Sequence, residues 1–364
     1  MFPEWTWIVG LMIGAAFGSF LNVVIYRMPR LLSISEPKNS FCPTCKHRLL
    51  FVPDMIPLFS WLFSGGKCRY CHSKIGSRYF WVELINGSLW AVLWYRYFCE
   101  TPQSSEWLLG CFFMLATAAL VAIIFIDGEH FIIPDEINAF LLLLGIVYHA
   151  LNKSLPMAMW GWLIGWGVIF GIALLGRLAF GKDAMGHGDI KMMRGVGALI
   201  GGLLTMIDLG IAVIVGIFFG ILFISISTMK EQKANKVSTE SSAHSSAHDN
   251  EAAGEGVQML VSESHAIEAK KEEEDEYEPE KVKDLLILGF SYLVCFDVVA
   301  LWFPKLYEKM GYPSEEVSVE EDDWEPAATA FPFGPSLAIG ALICMIFKTE
   351  LTALATQYIK LISG

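Results

Sequence analysis

Charged side chains are scarce in this sequence, at 18% of its 364 residues, whereas hydrophobic residues make up 54%. Soluble domains carry more charge than this, so a soluble globular fold is a poor match. The net charge of −12 comes largely from two acidic blocks in the C-terminal third. No basic stripe is present, which argues against a nucleic-acid partner. The remaining sequence is apolar enough for several spans of membrane lipid.

The N-terminus lacks the cationic start of a signal peptide and carries Glu4. Trp5 to Tyr26 is therefore predicted to be an uncleaved first span. The polar segment after it is rich in Lys and Arg, which the positive-inside rule places in the cytoplasm. Further spans are predicted at about 80–98, 107–126, 139–149, 157–180, 192–206, 209–228 and 331–347.

The predicted fold class is an all-α polytopic membrane protein, a bundle of about eight transmembrane helices with a small cytoplasmic zinc-knuckle loop. The insert that follows the core has too few apolar residues to form a packed unit, so it is predicted to be disordered. The predicted segments are a first transmembrane helix (1–27), a cytoplasmic four-cysteine loop (28–79), a transmembrane core (80–228), a disordered cytoplasmic insert (229–283), an interfacial or re-entrant apolar segment with an acidic loop (284–330), and a last transmembrane helix with its tail (331–364).

Two aspartates stand where apolar runs meet polar turns. Asp189 follows a glycine-rich turn, and Asp127 ends an apolar run. Counting spans places both on the cytoplasmic side at similar depth, and a carboxylate at such a depth is a functional hypothesis by default. Two facing carboxyls can share a proton, which gives one acid and one base able to hydrolyse an amide with a water molecule. Asp135 and Glu129 are competing candidates in the same acidic turn.

Other interpretations of these residues remain open at this point. Asp127 and Asp189 could simply cap helices, which is a common role of aspartate. His130 and His187 lie close by and are interpreted as hydrogen-bonded interfacial histidines. Carboxylates in broken helices also serve cation or proton transport, so a polytopic transporter is the alternative function. A zinc-dependent membrane scaffold without catalysis is a third hypothesis.

Four cysteines in the cytoplasmic loop form two C-x-x-C pairs, Cys42 with Cys45 and Cys68 with Cys71. Two such pairs ~20 residues apart are typical of a four-thiolate zinc site. Disulfides are disfavoured in the cytoplasm, which strengthens the zinc interpretation over a redox one. A closed site of this kind would fold the loop and would not catalyse a reaction.

Taken together and in order, these motifs resemble the type IV prepilin peptidases, the Gly-x-Gly-Asp membrane aspartyl proteases of bacterial pilus and type II secretion systems. The resemblance covers most of the chain. Its motifs are Gly18-Ser19-Phe20-Leu21-Asn22-Val23-Val24-Ile25-Tyr26-Arg27-Met28-Pro29, the two cysteine pairs, Gly65-Gly66-Lys67, Val82-Glu83-Leu84, Ile126-Asp127 through Ile133-Pro134-Asp135, Gly186-His187-Gly188-Asp189-Ile190-Lys191 and Phe333-Gly334-Pro335.

The resemblance implies that Asp127 and Asp189 form the catalytic pair. It implies prepilin or pseudopilin substrates, cut after a glycine at the cytoplasmic face of the bacterial inner membrane. Four-cysteine members of the family also N-methylate the new N-terminus with S-adenosyl-L-methionine, and Gly66 and Lys67 match positions associated with that activity.

The sequence departs from the family in its long insert, from Lys230 to Ala330. The Phe333-Gly334-Pro335 segment is expected at the cytoplasmic face, where it opens the last span. A full crossing by residues 284–303 would place it on the other side, and Asp297 within that run also argues against a simple crossing. Residues 284–303 are therefore predicted to lie along the interface or to re-enter from the cytoplasmic side.

Overall fold

Helices make up the regular structure of the chain, apart from two isolated β-bridges in the cysteine loop. The computed structural model describes residues 2–36, 40–42, 44–101, 104–181, 185–245, 282–302 and 332–363. Its helices are α1 (Trp7–Arg27), α2 (Phe59–Phe63), α3 (Arg78–Trp94), α4 (Ser104–His130), α5 (Asp135–Leu151), α6 (Leu155–Phe180), α7 (His187–Ile200), α8 (Gly202–Ser245), α9 (Val282–Leu293), α10 (Phe296–Trp302), α11 (Gly334–Ile346) and α12 (Lys348–Ser363), with a π-helical extension of α3 at Tyr95–Glu100.

Several of these helices are long and apolar enough to cross a membrane. In the described ranges there are 4 such helices, or up to 6 if two sharply bent helix pairs each count as one span. The 4 straight candidates are Glu4–Arg30, Glu106–His130, Leu155–Phe180 and Gly202–Leu222. The chain is thus an all-helical, multi-pass membrane protein, as the sequence predicts at this coarse level.

The first two long helices, α1 and α3, pack directly on each other. Asn86 on α3 donates a hydrogen bond through Nδ2 to the backbone oxygen of Gly14 on α1, at 2.7 Å, and both residues are buried. A polar side chain inside an apolar bundle is stabilised when it finds such a partner. This contact fixes α1 against the part of the chain that follows the cysteine loop.

Helix α7 is the most deeply buried helix of the bundle and packs on α5, α6, α8 and α11. Its contact with α6 is backbone against backbone: a Cβ on Gly161 would lie 1.9 Å from the Gly197 oxygen, and a Cβ on Gly197 would lie 2.2 Å from the Gly161 oxygen. Only glycine fits at such a crossing. Residues of α7 are accordingly inaccessible along most of its length.

The boundary between α7 and α8 differs from the sequence prediction. Spans predicted at 192–206 and 209–228 imply a turn near residue 207, but the turn is at Gly201, which has a φ of +81°. Glycine adopts this backbone conformation without steric cost. The polar residue Asp208, which falls between the two predicted spans, instead lies inside α8 and is fully buried.

Two other boundaries differ as well. Helix α4 continues to His130, so Asp127 lies within a helix and not in the turn that was predicted to begin there. Helix α8 continues to Ser245, past the predicted start of the disordered insert at residue 229. The rest of that predicted insert, up to residue 281, lies outside the described residues, as does most of the acidic loop before α11.

Helices α9 and α10 follow the insert and are bent by 70° relative to each other. Helix α9 packs on α6, and α10 packs on α5. The chain then returns to the bundle in α11, which packs on α4 and α8. Helix α12 is bent by 88° from α11 and turns away from it.

Candidate active site

Asp127 lies in the last turns of α4, and its residue is only 6% exposed. Gly334, the first residue of α11, lies against this carboxylate. The approach is close: a Cβ on Gly334 would lie 2.5 Å from Oδ2 of Asp127. Glycine at this position thus allows a helix N-terminus to contact the carboxylate, where the N–H groups and the helix dipole favour negative charge.

Asp189 is the third residue of α7 and is 8% exposed. Its Oδ2 lies beside Gly186, the residue that precedes the helix, at 3.3 Å from where a Cβ on that glycine would be. Its other oxygen, Oδ1, is buried and has no hydrogen-bond partner among the described residues. A capping role of the side chain therefore does not account for Oδ1.

The two carboxyls lie in the same part of the bundle. Ile133, in the turn after α4, contacts a neighbour of each: its side chain lies 2.9 Å from where a Cβ on Gly188 would be and 3.0 Å from where a Cβ on Gly334 would be. Two like charges in a desolvated place cannot both ionise easily, so such a pair holds a proton between its members.

The competing acids of this region are neutralised by cations. Asp135 accepts hydrogen bonds from Nζ of Lys191 at both carboxylate oxygens, each at 2.8 Å. Glu129 forms an ion pair with Arg78 and is partly exposed. Among the described residues, no ion pair includes Asp127 or Asp189. Of the four acids, these two alone combine burial, mutual proximity and the lack of a described cationic partner.

The two histidines near the site have different surroundings. The His187 ring packs edge-on against the Tyr292 ring, with centroids 5.9 Å apart. Nε2 of His130 is buried and has no hydrogen-bond partner among the described residues. Both were interpreted as hydrogen-bonded interfacial histidines. The structure differs in two respects: His187 makes a ring contact, and Nε2 of His130 has no hydrogen-bond partner among the described residues.

The cysteine loop contains two turns of the same geometry. In the first, Cys42 N donates to His47 O at 3.0 Å and Lys46 N donates to Cys42 O at 2.8 Å. In the second, Cys68 N donates to Ser73 O at 2.8 Å and His72 N donates to Cys68 O at 2.9 Å. Lys46 and His72, which follow the second cysteine of each pair, both have positive φ. Each pair is thus held in a tight knuckle that presents its two sulfurs together.

The four sulfurs, from Cys42, Cys45, Cys68 and Cys71, all lie within 4.8 Å of one another, and those of Cys42 and Cys71 are 3.9 Å apart. A tetrahedral zinc with Zn–S bonds near 2.3 Å requires S···S separations of ~3.8 Å. All four cysteines are free of disulfides. The donor set therefore fits a structural zinc ion.

The thiols of this cluster affect one another's pKa. Burial acts to raise the pKa of Cys42, but hydrogen bonds from the amides of Cys45 and Thr44 outweigh it and lower that pKa to about 6. At Cys45 the amide of His47 acts to lower the pKa, but desolvation and the three neighbouring sulfurs outweigh it and raise that pKa to about 11. Several thiolates this close repel one another unless a cation lies between them.

Gly66 and Lys67 precede the second knuckle directly. Gly66 is buried, has a φ of +66°, and packs under the Trp61 ring, to which a Cβ would approach within 3.0 Å. Lys67 is exposed and pairs with Lys74 in an isolated β-bridge. The glycine is thus a structural requirement of the turn, whereas the lysine side chain is available to a ligand.

Comparison with known proteins shows the family to which the chain is similar. The family model described as the bacterial peptidase A24 N-terminal domain matches residues 12–97, and that described as the type IV leader peptidase family matches residues 114–224. The helical bundle with its carboxyl pair and cysteine loop is thus of the membrane leader-peptidase class.

Three curated relatives share the printed name prepilin leader peptidase/N-methyltransferase. That of Dichelobacter nodosus is 34% identical over 232 residues, which is 56% of this chain and 78% of the relative. That of Pseudomonas aeruginosa is 32% identical over 240 residues (59% and 79%), and that of Klebsiella pneumoniae is 33% identical over 195 residues (52% and 82%). No solved structure was found to match the chain. The chain belongs to the type IV leader peptidase family.

Some site contacts were missed by sequence reasoning. The contact of Gly334 with the Asp127 carboxylate joins residues far apart in the chain, although the Phe333-Gly334-Pro335 motif was noted. The ion pair between Lys191 and Asp135 also joins two helices. The signal for it was present, because a lysine two residues after Asp189 and an acid at a helix start are both visible in the sequence.

Proposed function

We propose that this protein cleaves the leader peptide of type IV prepilins or pseudopilins and then N-methylates the new N-terminal residue. Membership of the leader peptidase family supports this activity, and the curated relatives carry the corresponding name. The observation that carries the assignment of residues is the pairing of two buried carboxyls, Asp127 and Asp189, whose neighbours Gly334 and Gly188 both contact Ile133 and which have no described cationic partner.

In this reaction Asp127 and Asp189 share one proton. The ionised carboxyl takes a proton from a water molecule between them, and the protonated one gives its proton to the nitrogen of the peptide bond that breaks. Gly334 at the start of α11 lies against the carboxylate of Asp127, and Asp189 is positioned by the start of α7. The unpartnered Oδ1 of Asp189 is suited to contact the water or the substrate.

The membrane arrangement follows from the same elements. We propose that eight helices cross the membrane, the number that the sequence predicts, namely α1, α3, α4, α5, α6, α7, α8 and α11. The basic cysteine loop lies in the cytoplasm under the positive-inside rule. The carboxyl-bearing end of α4 and the start of α7 then lie at the cytoplasmic face of the bacterial inner membrane, where the leader of a prepilin ends.

The cysteine loop is proposed to bind one structural zinc ion through Cys42, Cys45, Cys68 and Cys71. When bound, zinc holds the two knuckles together and fixes the segment between them. Methyl transfer from S-adenosyl-L-methionine is assigned to this region, with Gly66 shaping the turn and the exposed Lys67 contacting the cofactor or the substrate.

The transporter alternative receives no support. All of the curated relatives named above are peptidase/methyltransferases, and the carboxyls lie at helix ends. Transport sites made of broken helices lie near the bilayer midplane. If the protein were a scaffold without catalysis, Asp127 and Asp189 would be buried without a described cationic partner and would have no function.

The direct test is co-expression with a candidate prepilin, followed by mass spectrometry of the pilin N-terminus. The wild type should yield one cut after the leader glycine and a methylated N-terminus. Asp127→Asn and Asp189→Asn should yield full-length prepilin. Glu129→Gln is the matched control, because it changes an ion-paired acid two residues from Asp127 and should leave cleavage intact. Normal cleavage by either Asn variant would overturn the assigned pair.

Methylation has its own test in the same assay. Lys67→Ala removes an exposed side chain that makes no described packing contact, so the fold and cleavage should persist while the pilin remains unmethylated. Lys74→Ala, which alters the bridge partner of Lys67, is the control and should leave methylation in place. Full methylation by Lys67→Ala would show that this lysine has no part in methyl transfer.

A further inference from the structure

Helices α9 and α10 form a sharply bent helix pair, which is called the hairpin below. It lies outside both family matches, the second of which ends at residue 224. The hairpin is nevertheless in contact with the helix that carries Asp189. Tyr292 in α9 packs its ring against the His187 ring and under Nζ of Lys191, which lies 4.8 Å from the ring centroid. Both partners belong to the Gly-x-Gly-Asp segment at the start of α7.

The residues of α7 that contact the hairpin lie on one face. His187, Lys191 and Arg194 are spaced by four and three residues, so they form a stripe along the helix. Asp189 is two residues after His187, about 200° around the helix axis, and so lies on the opposite face. The hairpin therefore supports α7 from behind and does not cover the carboxyl.

The second contact is a buried ion pair. The Arg194 side chain is 0% exposed and that of Asp297, in α10, is 8% exposed. Arg194 donates from Nη1 to Oδ1 of Asp297 at 2.8 Å and from Nη2 to Oδ2 at 2.7 Å. It also donates to the backbone oxygen of Tyr292. This two-bond geometry fixes orientation as well as distance.

The hairpin is itself fixed to another helix of the bundle. Nε1 of Trp166 on α6 donates to the backbone oxygen of Gly289 at 3.0 Å. The ring of Phe170 occupies the space where a side chain at Gly289 would lie, since a Cβ there would be 2.1 Å from the ring. Helix α7 is thus held between the bundle and an element that is itself anchored to α6.

We propose that this hairpin is part of the peptidase site, with Tyr292 and Asp297 as positioning residues that set the orientation of α7 and so aim Asp189 at Asp127. The proposal rests on the proposed peptidase function. Neither residue contacts the reacting atoms, so each acts through α7. Their loss should lower the rate of the chemical step while leaving the affinity for prepilin nearly unchanged, because the only expected change is in the alignment of the two carboxyls.

The test is a kinetic comparison of full-length purified variants on a prepilin that the wild type cleaves. Asp297→Asn keeps the shape but leaves the Arg194 charge without its partner, and kcat should fall tenfold or more with KM within twofold. Asp284→Asn makes the same charge change at an exposed position of the same hairpin and should match the wild type. Wild-type kcat in Asp297→Asn would overturn the proposal, as would a change confined to KM.

Tyr292 provides a second test that does not depend on the ion pair, and it decides the matter if Asp297→Asn does not fold. Tyr292→Phe keeps the ring that contacts His187 and Lys191, so kcat should stay within threefold of the wild type. Tyr292→Ala should lower kcat tenfold or more at equal thermal stability. Equal kcat in the two variants would overturn the proposal. If the wild type cleaves no prepilin, the peptidase assignment itself fails, which is a different outcome from wild-type cleavage by every hairpin variant.

Discussion

The cysteine loop is formed by contacts between neighbours in the chain, whereas the carboxyl pair is formed by contacts between distant helices. Each knuckle of the loop brings two sulfurs together within one turn of the chain, and the second knuckle repeats the hydrogen bonds of the first. The carboxyl site needs α4, α7 and α11, whose contributing residues are Asp127, Asp189 and Gly334. A local motif can thus fold around a metal ion, whereas the catalytic pair exists only when the bundle is assembled. A substitution that disrupts one region should therefore leave the other intact.

The largest effect is expected for Asp189→Asn. Cleavage should fall by ~10³-fold or more, since acid–base chemistry by a positioned carboxyl contributes at that scale. The fold should not suffer, because an amide of the same shape replaces a carboxyl whose charge is costly to bury. Cleavage rate, thermal unfolding in detergent and zinc content are the measurements. A large drop in unfolding temperature would mean that the residue serves the fold and not the reaction.

Gly334→Ala should have the next largest effect. Its new Cβ would lie 2.5 Å from Oδ2 of Asp127, so the carboxylate has to shift, and a misplacement of about 1 Å costs ~10²-fold in rate. Gly186→Ala places its Cβ 3.3 Å from Oδ2 of Asp189 and should cost roughly tenfold or less. Kinetics of the two variants measure this difference. The reverse order of effects would contradict the described geometry.

Cys68→Ser should separate the two regions most clearly. Loss of one thiolate should release zinc and make the loop sensitive to protease, because metal binding supplies the folding energy of such a site. Cleavage should stay within about threefold of the wild type, since the carboxyls lie on other elements. Metal analysis, limited proteolysis and prepilin cleavage check this. Cys111→Ser, at an exposed thiol outside the loop, is the control and should retain zinc.

The smallest effect is expected for Asp135→Asn. It breaks the ion pair with Lys191, whose side chains are 37% and 13% exposed, and such pairs contribute about 1 kcal/mol or less. An energy of this size corresponds to a change of about fivefold in a rate constant, so kcat should fall by no more than that. Steady-state kinetics and thermal unfolding are sufficient to measure it. A loss as large as that of Asp189→Asn would make Asp135 a member of the catalytic pair.

The sequence predicts the chemistry of both regions better than their geometry. The four thiols are visible because ligands from one turn are neighbours in the chain, and the structure brings them within 4.8 Å. Asp127 and Asp189 were found from hydrophobic boundaries and span counting, which place charges by depth. Neither signal reports how two helices face each other, so the choice between Asp127, Glu129 and Asp135 stayed open on the residues alone.

What escaped prediction depends on contacts between distant helices. The ion pair of Arg194 with Asp297 and the contact of Gly334 with Asp127 join residues separated by long stretches of chain. One helix boundary was misplaced around a polar residue: Asp208 lies between two predicted spans but inside α8, and the turn is at Gly201. In a bundle a buried polar residue can be accommodated by its neighbours, so hydropathy alone does not locate turns.

The contact between Gly161 and Gly197 sets how closely α7 packs on α6, because no side chain separates the two backbones. A pilin begins with a helix, and a peptide bond within a helix is shielded by its own hydrogen bonds. Since α7 already packs this closely on its neighbour, the proposed reaction needs the first helical turn of the pilin to open before water can reach the bond.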